Sequence, residues 1–438
     1  MKGSEKMNNK TIIDKMISEY HSNLPHYQRM KKYYDGKHDI CSDDTFIRAG
    51  TSDRAIYINW ISKFISEEIS YGLNKPVSYI SKSGNLNLEK DISKAIEHYD
   101  LNHDQKLMRE LEIYGLCYCL YYFDKAGRLS ERILNPTNAI AYCDEDGNVI
   151  RFIYFYEKKY IDGNFYNVYY PDGKIEIYKN NALIETDYHY LGCMPVSVCQ
   201  IEYSETIYAK IKELNDSYNE LVSNQQCLIS EFKDAYIAMC AEGLSPENMK
   251  DFVKTVKDKE AGMIFYPKNK PEWLIKNIND TAIKNQMNEL KENLYAQSGH
   301  IDFNEKLSSN LSGVALQSRL TGLDQRVNMV LNPVLNALYE RVRFICIYLF
   351  ISKNTQYDFT DIKILPNVDI PIDILSKVAE AQNLSGIVSL QTRLERLSFI
   401  ENPQLEIERL KKEQADDNAI SLNKVSQAYY GGSVSDNE

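Results

Sequence analysis

Gln297-Ser298-Gly299-His300-Ile301-Asp302-Phe303, and then Asn310-Leu311-Ser312-Gly313-Val314-Ala315-Leu316, form a stretch of small and polar residues with neither a helix nor a strand period. Both flanks are strongly helical. Asp280-Thr281 opens a run with Ile283, Met287, Leu290 and Leu294 on one side. Ser312 to Ile351 carries Leu316, Leu320, Leu323, Val327, Val330, Val334, Leu338, Val342, Ile345 and Leu349 at helical spacing. A loop of about fifteen residues without regular structure is uncommon in a compact domain unless it has work to do. The spacing therefore predicts a functional loop held between two helices. Pro333 removes a backbone donor inside the second helix, which predicts a kink near Asn332.

Upstream, apolar residues step by four and three through Ile207, Ile211, Leu214, Tyr218 and Leu221, then Gln225, then Leu228, Phe232, Ala235 and Met239. This seam predicts one helix of roughly 50 Å at 1.5 Å per residue. Its other faces carry Glu205, Glu213, Asp216, Glu220, Glu231 and Asp234 against Lys210, Lys212 and Lys233. They are either a solvated face or an acidic channel wall. Gly243 ends the helix, and Ser245-Pro246 begins another with serine as cap and proline in the first turn. Two strand-like runs, 261–266 and 273–276, then flank Pro267-Lys268-Asn269-Lys270-Pro271. Lysines 250, 254, 257, 259, 268, 270 and 276 make this the most basic patch of the chain.

Farther out, helices are predicted over 11–34, stopping at Gly36, from Trp60 to about Gly72, and from Leu88 to Cys119. From there to about Ile201 the period becomes two, with turn signals at Asp124-Lys125-Ala126-Gly127, Asp144-Glu145-Asp146-Gly147, Asp162-Gly163-Asn164 and Pro171-Asp172-Gly173. That is the pattern of an antiparallel meander. The 33 tyrosines concentrate here and near the helices beside this region. Packing of amphipathic strands explains them more simply than base stacking does. One more strand over 361–366, helices around 374–384 and 389–414, and a polar tail from Ala415 complete the chain. The class is α+β, mainly helical.

Composition limits the functions. The chain has 438 residues, 43% hydrophobic and 26% charged, enough for more than one core. A net charge of -11 argues against a surface that grips nucleic acid by counterion release. The first ten residues lack the apolar run of a secretory signal, which predicts a protein that stays in the cytosol. The longest apolar run, 344–351, is far short of the ~20 residues that span a bilayer, so no membrane is expected. The nine cysteines show no Cys-x-x-Cys spacing and read as reduced, mostly buried thiols.

The chemistry of an enzyme is not legible in the chain. There is no phosphate-cradling Gly-x-x-x-x-Gly-Lys-Ser/Thr loop, no Gly-x-Ser-x-Gly elbow and no Cys/His cluster for zinc. His300 stands alone in its loop and reads as an ordinary polar contact. The acidic turns at Asp144-Glu145-Asp146 and Asp162 could supply carboxylates to two metals, but turn chemistry accounts for them better. No cofactor, metal or catalytic residue is expected.

Taken in order, these features resemble the portal proteins of tailed bacteriophages, of the type common in phages of Gram-positive bacteria. Tyr33-Tyr34-Asp35-Gly36-Lys37-His38 is similar to an early family element, and Leu134-Asn135-Pro136 to a strand in the middle of the wing. The loop quoted first is the most specific match. Ile364-Leu365-Pro366-Asn367 and Leu384-Ser385-Gly386-Ile387-Val388-Ser389-Leu390-Gln391-Thr392 resemble the C-terminal run. The likeness covers about Tyr20 to Lys412.

The resemblance implies a portal fold of wing, stem, clip and crown, built into a dodecameric ring around a DNA channel at one capsid vertex. The wing would be 1–202 with the long helix and strand of 313–372. The stem would be the helices 203–242 and 281–298, the clip 243–280, the tunnel loop 299–312, and a short crown with polar tail 373–438. Tunnel-loop residues Asn304, Glu305, Lys306, Leu307, Ser308, Ser309 and Asn310 would border the channel. Glu213, Asp216, Glu220, Glu231 and Asp234 would form its acidic wall. Lys250, Lys254, Lys257, Lys268 and Lys270 of the clip would meet the terminase large subunit during packaging and a head-completion adaptor afterwards. Other expected partners are double-stranded DNA and the major capsid and scaffolding proteins, with the protein in the virion and, during assembly, in the host cytoplasm. Two other classes would share some of these features: a metal-dependent DNA-processing enzyme, and a helical scaffold or adaptor without a channel.

Overall fold

The computed structural model describes residues 9–42, 55–233, 236–238, 272–274, 280–302, 313–366, 379, 381–397, 400, 403–404 and 406–415. The chain divides into two compact units, one of residues 1–34, 61–210 and 298–438 and the other of 35–60 and 211–297.

The first unit is organised around a three-stranded sheet and a five-stranded meander. Helix α1 (Asn9–Tyr34) leads in, followed after α2 (Trp60–Gly72) by β1 (Ser78–Ser81), α3 (Leu86–Ile96) and α4 (His103–Tyr114). One helix was expected over 88–119, but the structure has two helices and the start of a strand. Asp100 accepts the Asn102 amide in a turn that breaks the first run. Gly115, at φ +73, then stops α4 by donating its N–H to Leu111 O at 2.7 Å. The apolar residues after it belong to β2 (Leu116–Phe123), the central strand between β3 (Leu129–Leu134) and β9 (Val196–Gln200). Both its faces are buried, so its continuous apolar run could extend a helical pattern.

The meander runs in chain order through β4 (Ala139–Cys143), β5 (Val149–Lys158), β6 (Ile161–Tyr169), β7 (Lys174–Lys179) and β8 (Ala182–Tyr188). The turns at 124–127 between β2 and β3 of the smaller sheet, and at 144–147 and 171–173 in the meander, are as expected. In the first two, an aspartate at the turn's start accepts two later amides: Asp124 Oδ1 takes Ala126 and Arg128, Asp144 Oδ1 takes Asp146 and Asn148. The turn expected at 162–164 falls instead at Lys159-Tyr160, with Tyr160 at φ +69, and Asp162 to Asn164 lie within β6. A further reversal uses Asn180-Asn181, both at positive φ as the tight hairpin turn demands.

One face of the meander packs Ile153, Tyr166 and Val168 on Ile13, Met16 and Tyr20 of α1. The other sets Phe152 and Tyr169 on Tyr118, Leu120 and Val196 of the smaller sheet. The tyrosines are largely packing residues: Tyr20 stacks on Phe155 at 4.0 Å and donates to Thr137 O, and Tyr166 stacks on Tyr178 at 4.9 Å.

Helix α7 (Gly313–Lys353) is continuous across Pro333, and every expected core position from Leu320 to Leu349 is buried. The expected strand at 361–366 is β12 (Ile362–Leu365), antiparallel to β1. Arg341 of α7 is 1% exposed and joins Asp104 at 2.7 Å to Glu131 at 2.5 Å. The helix α8 (Leu390–Glu395) is capped by the Ser389 hydroxyl, which accepts the Thr392 amide at 3.2 Å.

The second unit contains most of α5 (Ile207–Lys233) and of α6 (Asp280–Ser298), and a short antiparallel pairing of β10 (Tyr236–Ala238) with β11 (Glu272–Leu274). The helix expected to run to Met239, and the stem segment to 242, ends at Lys233. Tyr236 and Ile237 pair with Leu274 and Trp273 across the sheet, and this long-range pairing overrides the helical seam. Among the described residues no helix is long and apolar enough to cross a membrane.

Candidate functional site

The described part of the loop begins where α6 ends. Gly299 sits at φ +75, and a Cβ there would meet Gly322 O of α7 at 3.4 Å. A Cβ on Gly322 would in turn meet Gly299 O at 3.3 Å. Gly299 is favoured by its left-handed backbone, and a Cβ on Gly322 would sit tightly against the Gly299 carbonyl.

His300 then turns inward. It is 7% exposed, and its ring stacks on Phe64 of α2 at 4.3 Å. Nδ1 is 3.1 Å from Ser298 O, and Nε2 is 3.2 Å from Phe64 O and 3.7 Å from Glu68 Oε1. The reading of His300 as a polar contact rather than a ligand fits this geometry, and its burial lowers its proton affinity.

One turn beyond Gly322, Arg326 closes the cluster. Its Nε donates to Glu68 Oε1 and its Nη2 to Glu112 Oε2 of α4, each at 3.1 Å, and its Nη1 donates to the carbonyl of Glu205. Glu68 and Glu112 are completely buried. Burial, reinforced by the neighbouring Glu112 carboxyl, pushes the Glu68 carboxyl well above the usual range despite Arg326 and His300. Glu68 Oε2 and Glu112 Oε1 have no hydrogen-bond partner among the described residues, which fits a Glu68 carboxyl that keeps its proton. The cluster thus ties α2, α4, α7 and the turn before α5 to the start of the loop.

In the second unit, α5 carries a buried polar stripe beside the expected apolar seam, whose Ile211 and Tyr218 are buried. Asn215, Asn219 and Ser223 are fully buried at four-residue spacing. They zip up the extended segment ahead of α2: Ser223 Oγ accepts Ile56 N–H and donates to Ile56 O, both at 3.0 Å. Asn219 Oδ1 takes Ile58 N–H at 2.8 Å, while Asn215 donates to Ile58 O and accepts Trp60 N–H. His38, from the element Tyr33-Tyr34-Asp35-Gly36-Lys37-His38, meets Asn219 Nδ2 through Nδ1 at 3.0 Å. Trp60 packs edge-on against Tyr218 and Tyr295.

Of the acidic positions, Glu213 and Glu220 are exposed and Asp216 is half-buried. Lys212 Nζ bridges Glu213 at 2.9 Å and Asp216 at 2.8 Å, so part of the face's charge is already neutralised. Glu231 lies on α5, but its side chain, like Asp234, lies outside the described residues. So do Asn304 to Asn310 of the loop and the lysines at 250, 254, 257, 268 and 270. The acidic turn at Asp144 spends its oxygens on its own loop. Among the described residues no group of three or more His, Cys, Asp or Glu side chains could hold a metal.

Sequence reasoning missed Glu68, Glu112, Arg326 and the stripe on α5. The stripe left a signal in Asn-x-x-x-Asn-x-x-x-Ser, since three small polar residues at helical spacing need partners if buried. Arg326 left one in its four-residue distance from Gly322.

A family model described as phage portal protein, SPP1 Gp6-like, matches residues 13–419. The portal protein of Bacillus phage SPP1 is 23% identical over 445 residues, covering 92% of this chain and 86% of that protein. A chain from the neck of an empty gene transfer agent particle, computed with C6 symmetry, matches with a TM-score of 0.50 at 10% identity, over 81% of this chain and 93% of that one. A chain from the virion of the native gene transfer agent particle matches at 0.48 and 10% identity, over 84% and 98%.

Proposed function

The chain belongs to the phage portal protein family, SPP1 Gp6-like, and from that premise we propose that copies of it close into a dodecameric ring at one capsid vertex, through which DNA enters the head and later leaves. The observation that carries the reading is the family match across nearly the whole chain, from residue 13 to residue 419. The wing would be built from residues 1–202 and 313–372, the stem from α5 and α6, the clip from 243–280, the tunnel loop from 299–312 and the crown from 373–438.

Physical chemistry supports a conduit. A bore lined with many Arg and Lys contacts to phosphate would act as a brake, because each contact releases counterions and adds affinity. The exposed Glu213 and Glu220, repeated around a ring, would instead keep a duplex sliding. Lys306 would touch phosphate only in passing. The lysines of the clip would meet the terminase large subunit and then a head-completion adaptor, and the wing would face the capsid and scaffolding proteins. Assembly would take place in the host cytoplasm.

Electron microscopy of the purified protein tests the reading. Rings with a central hole are expected, and compact single subunits under associating conditions would refute it. Cleavage of plasmid by the pure protein with magnesium would favour the metal-dependent enzyme.

A further inference from the structure

The root of the loop contains more titratable groups than a structural anchor needs. His300 offers its two ring nitrogens to two acceptors, Ser298 O and Phe64 O, at 3.1 and 3.2 Å. A neutral imidazole has one N–H and can serve only one of them, whereas an imidazolium serves both. Beside it, two buried carboxyls share one arginine.

Counting charge decides which states are accessible. With a proton on Glu68, the core group of Arg326, Glu112, Glu68 and His300 sums to zero. With that proton moved to the imidazole it again sums to zero, since Glu68 gains a negative charge as His300 gains a positive one. Among the described residues, two charges at the rim are paired: Lys63 with Glu67 at 2.6 Å on α2, and Glu205, itself 3.8 Å from Arg326 Nη1, with Lys210 at 2.5 Å at the start of α5. Both arrangements therefore bury no net charge, and burial of an uncompensated charge is what a dry site resists most. Glu68 Oε1 lies 3.7 Å from His300 Nε2, which makes the two groups direct electrostatic neighbours.

We propose that His300, Glu68, Glu112 and Arg326 form a proton-sharing clamp, in which one proton, held either between the two carboxyls or on the imidazole, sets whether residue 300 is fixed through one ring nitrogen or through both. The transfer breaks an O–H bond on Glu68 and forms an N–H bond on His300, with no other reactant. Burial keeps the proton on Glu68, and the neighbouring Glu112 carboxyl adds the bias that a substitution can remove. The clamp stands on the contacts of His300 and Arg326 together with the raised Glu68 carboxyl, and it does not depend on the channel reading above.

The two carboxylates should act in opposite directions on the same histidine. In Glu112→Gln, Glu68 loses its bias, ionises against Arg326 and attracts a proton to His300. In Glu68→Gln, the amide can still donate to Glu112, but the anion beside the imidazole is gone. Exchange of the imidazole C2 hydrogen, read by mass spectrometry on the full-length protein's His300 peptide across pH 4–10, reports the titration of that one residue. Glu112→Gln should raise the His300 midpoint by about one pH unit, a tenfold gain in proton affinity, and slow amide exchange over 299–302. Glu68→Gln should not raise the midpoint. Equal shifts in both variants, or none in either, would overturn the clamp. Wild-type protein gives an independent check: amide protection of 299–302 should change across the same pH interval as His300 titrates, and a flat profile there would also overturn it. Neither result depends on rings or DNA, so failure of the clamp and failure of the portal reading are separable.

Discussion

Replacing Asn219 by Leu tests the polar stripe of α5, because it removes two hydrogen bonds while keeping the branched side-chain shape and favouring the helix. Asn219 is fully buried, and so is nearly all of His38. The substitution strips the Ile58 amide of its 2.8 Å acceptor and His38 Nδ1 of its 3.0 Å donor. Each polar group deprived of a buried partner costs about 1–3 kcal/mol, and burying leucine in place of the amide returns about 1 kcal/mol. The net loss is about 3 kcal/mol. At 1.4 kcal/mol per decade this is on the order of a 100-fold larger opening constant for the segment held by the stripe. Hydrogen exchange of the peptide covering 55–60, read by mass spectrometry, measures it. Glu220→Leu, one residue along on the exposed face, should leave that peptide unchanged. Equal exchange in the two variants would show that the stripe does not hold the segment and that the assigned hydrogen bonds carry no net stability.

Two further outcomes are expected. Deleting Asn304 to Asn310 should leave ring assembly intact and reduce DNA packaging or retention; DNA-filled heads at normal yield from that variant would remove the loop from the channel's function. Glu131 gives a pH dependence: burial alone would raise its carboxyl, but Arg341 and His103 outweigh that and hold it down to about 2, against an ordinary 4.5. A depressed carboxylate stabilises above its unfolded value and loses that contribution as pH falls toward the folded one. Glu131→Gln should therefore be less thermally stable than wild type at pH 6, with the gap closing between pH 4.5 and 2. A gap that stayed constant over that range would contradict the assignment.

Much of the fold was legible along the chain. The core face of α7 from Leu320 to Leu349 follows from spacing alone, as do the aspartate turns before Gly127 and Gly147, where the side chain bonds amides two and four residues on. Where long-range pairing competed with local pattern, reading along the chain failed. Tyr236–Ala238 continues a helical seam yet forms a strand, because its partner is the distant Glu272–Leu274. Leu116–Cys119 continues another, yet lies between two strands and is buried on both faces.

The candidate site divides the same way. Sequence by itself determined that a stretch of small and polar residues follows one helix and precedes another, and that the family is one of portal proteins. Only the tertiary structure decided that His300 turns inward, that Arg326 lies at 5% exposure between Glu68 and Glu112, and that α5 buries amides along one stripe. The reason is that periodicity records which face of an element avoids water, a property of neighbours three and four residues apart. The partners that make a buried charge tolerable stand 258 and 214 residues from Arg326, and only the folded chain brings them into reach.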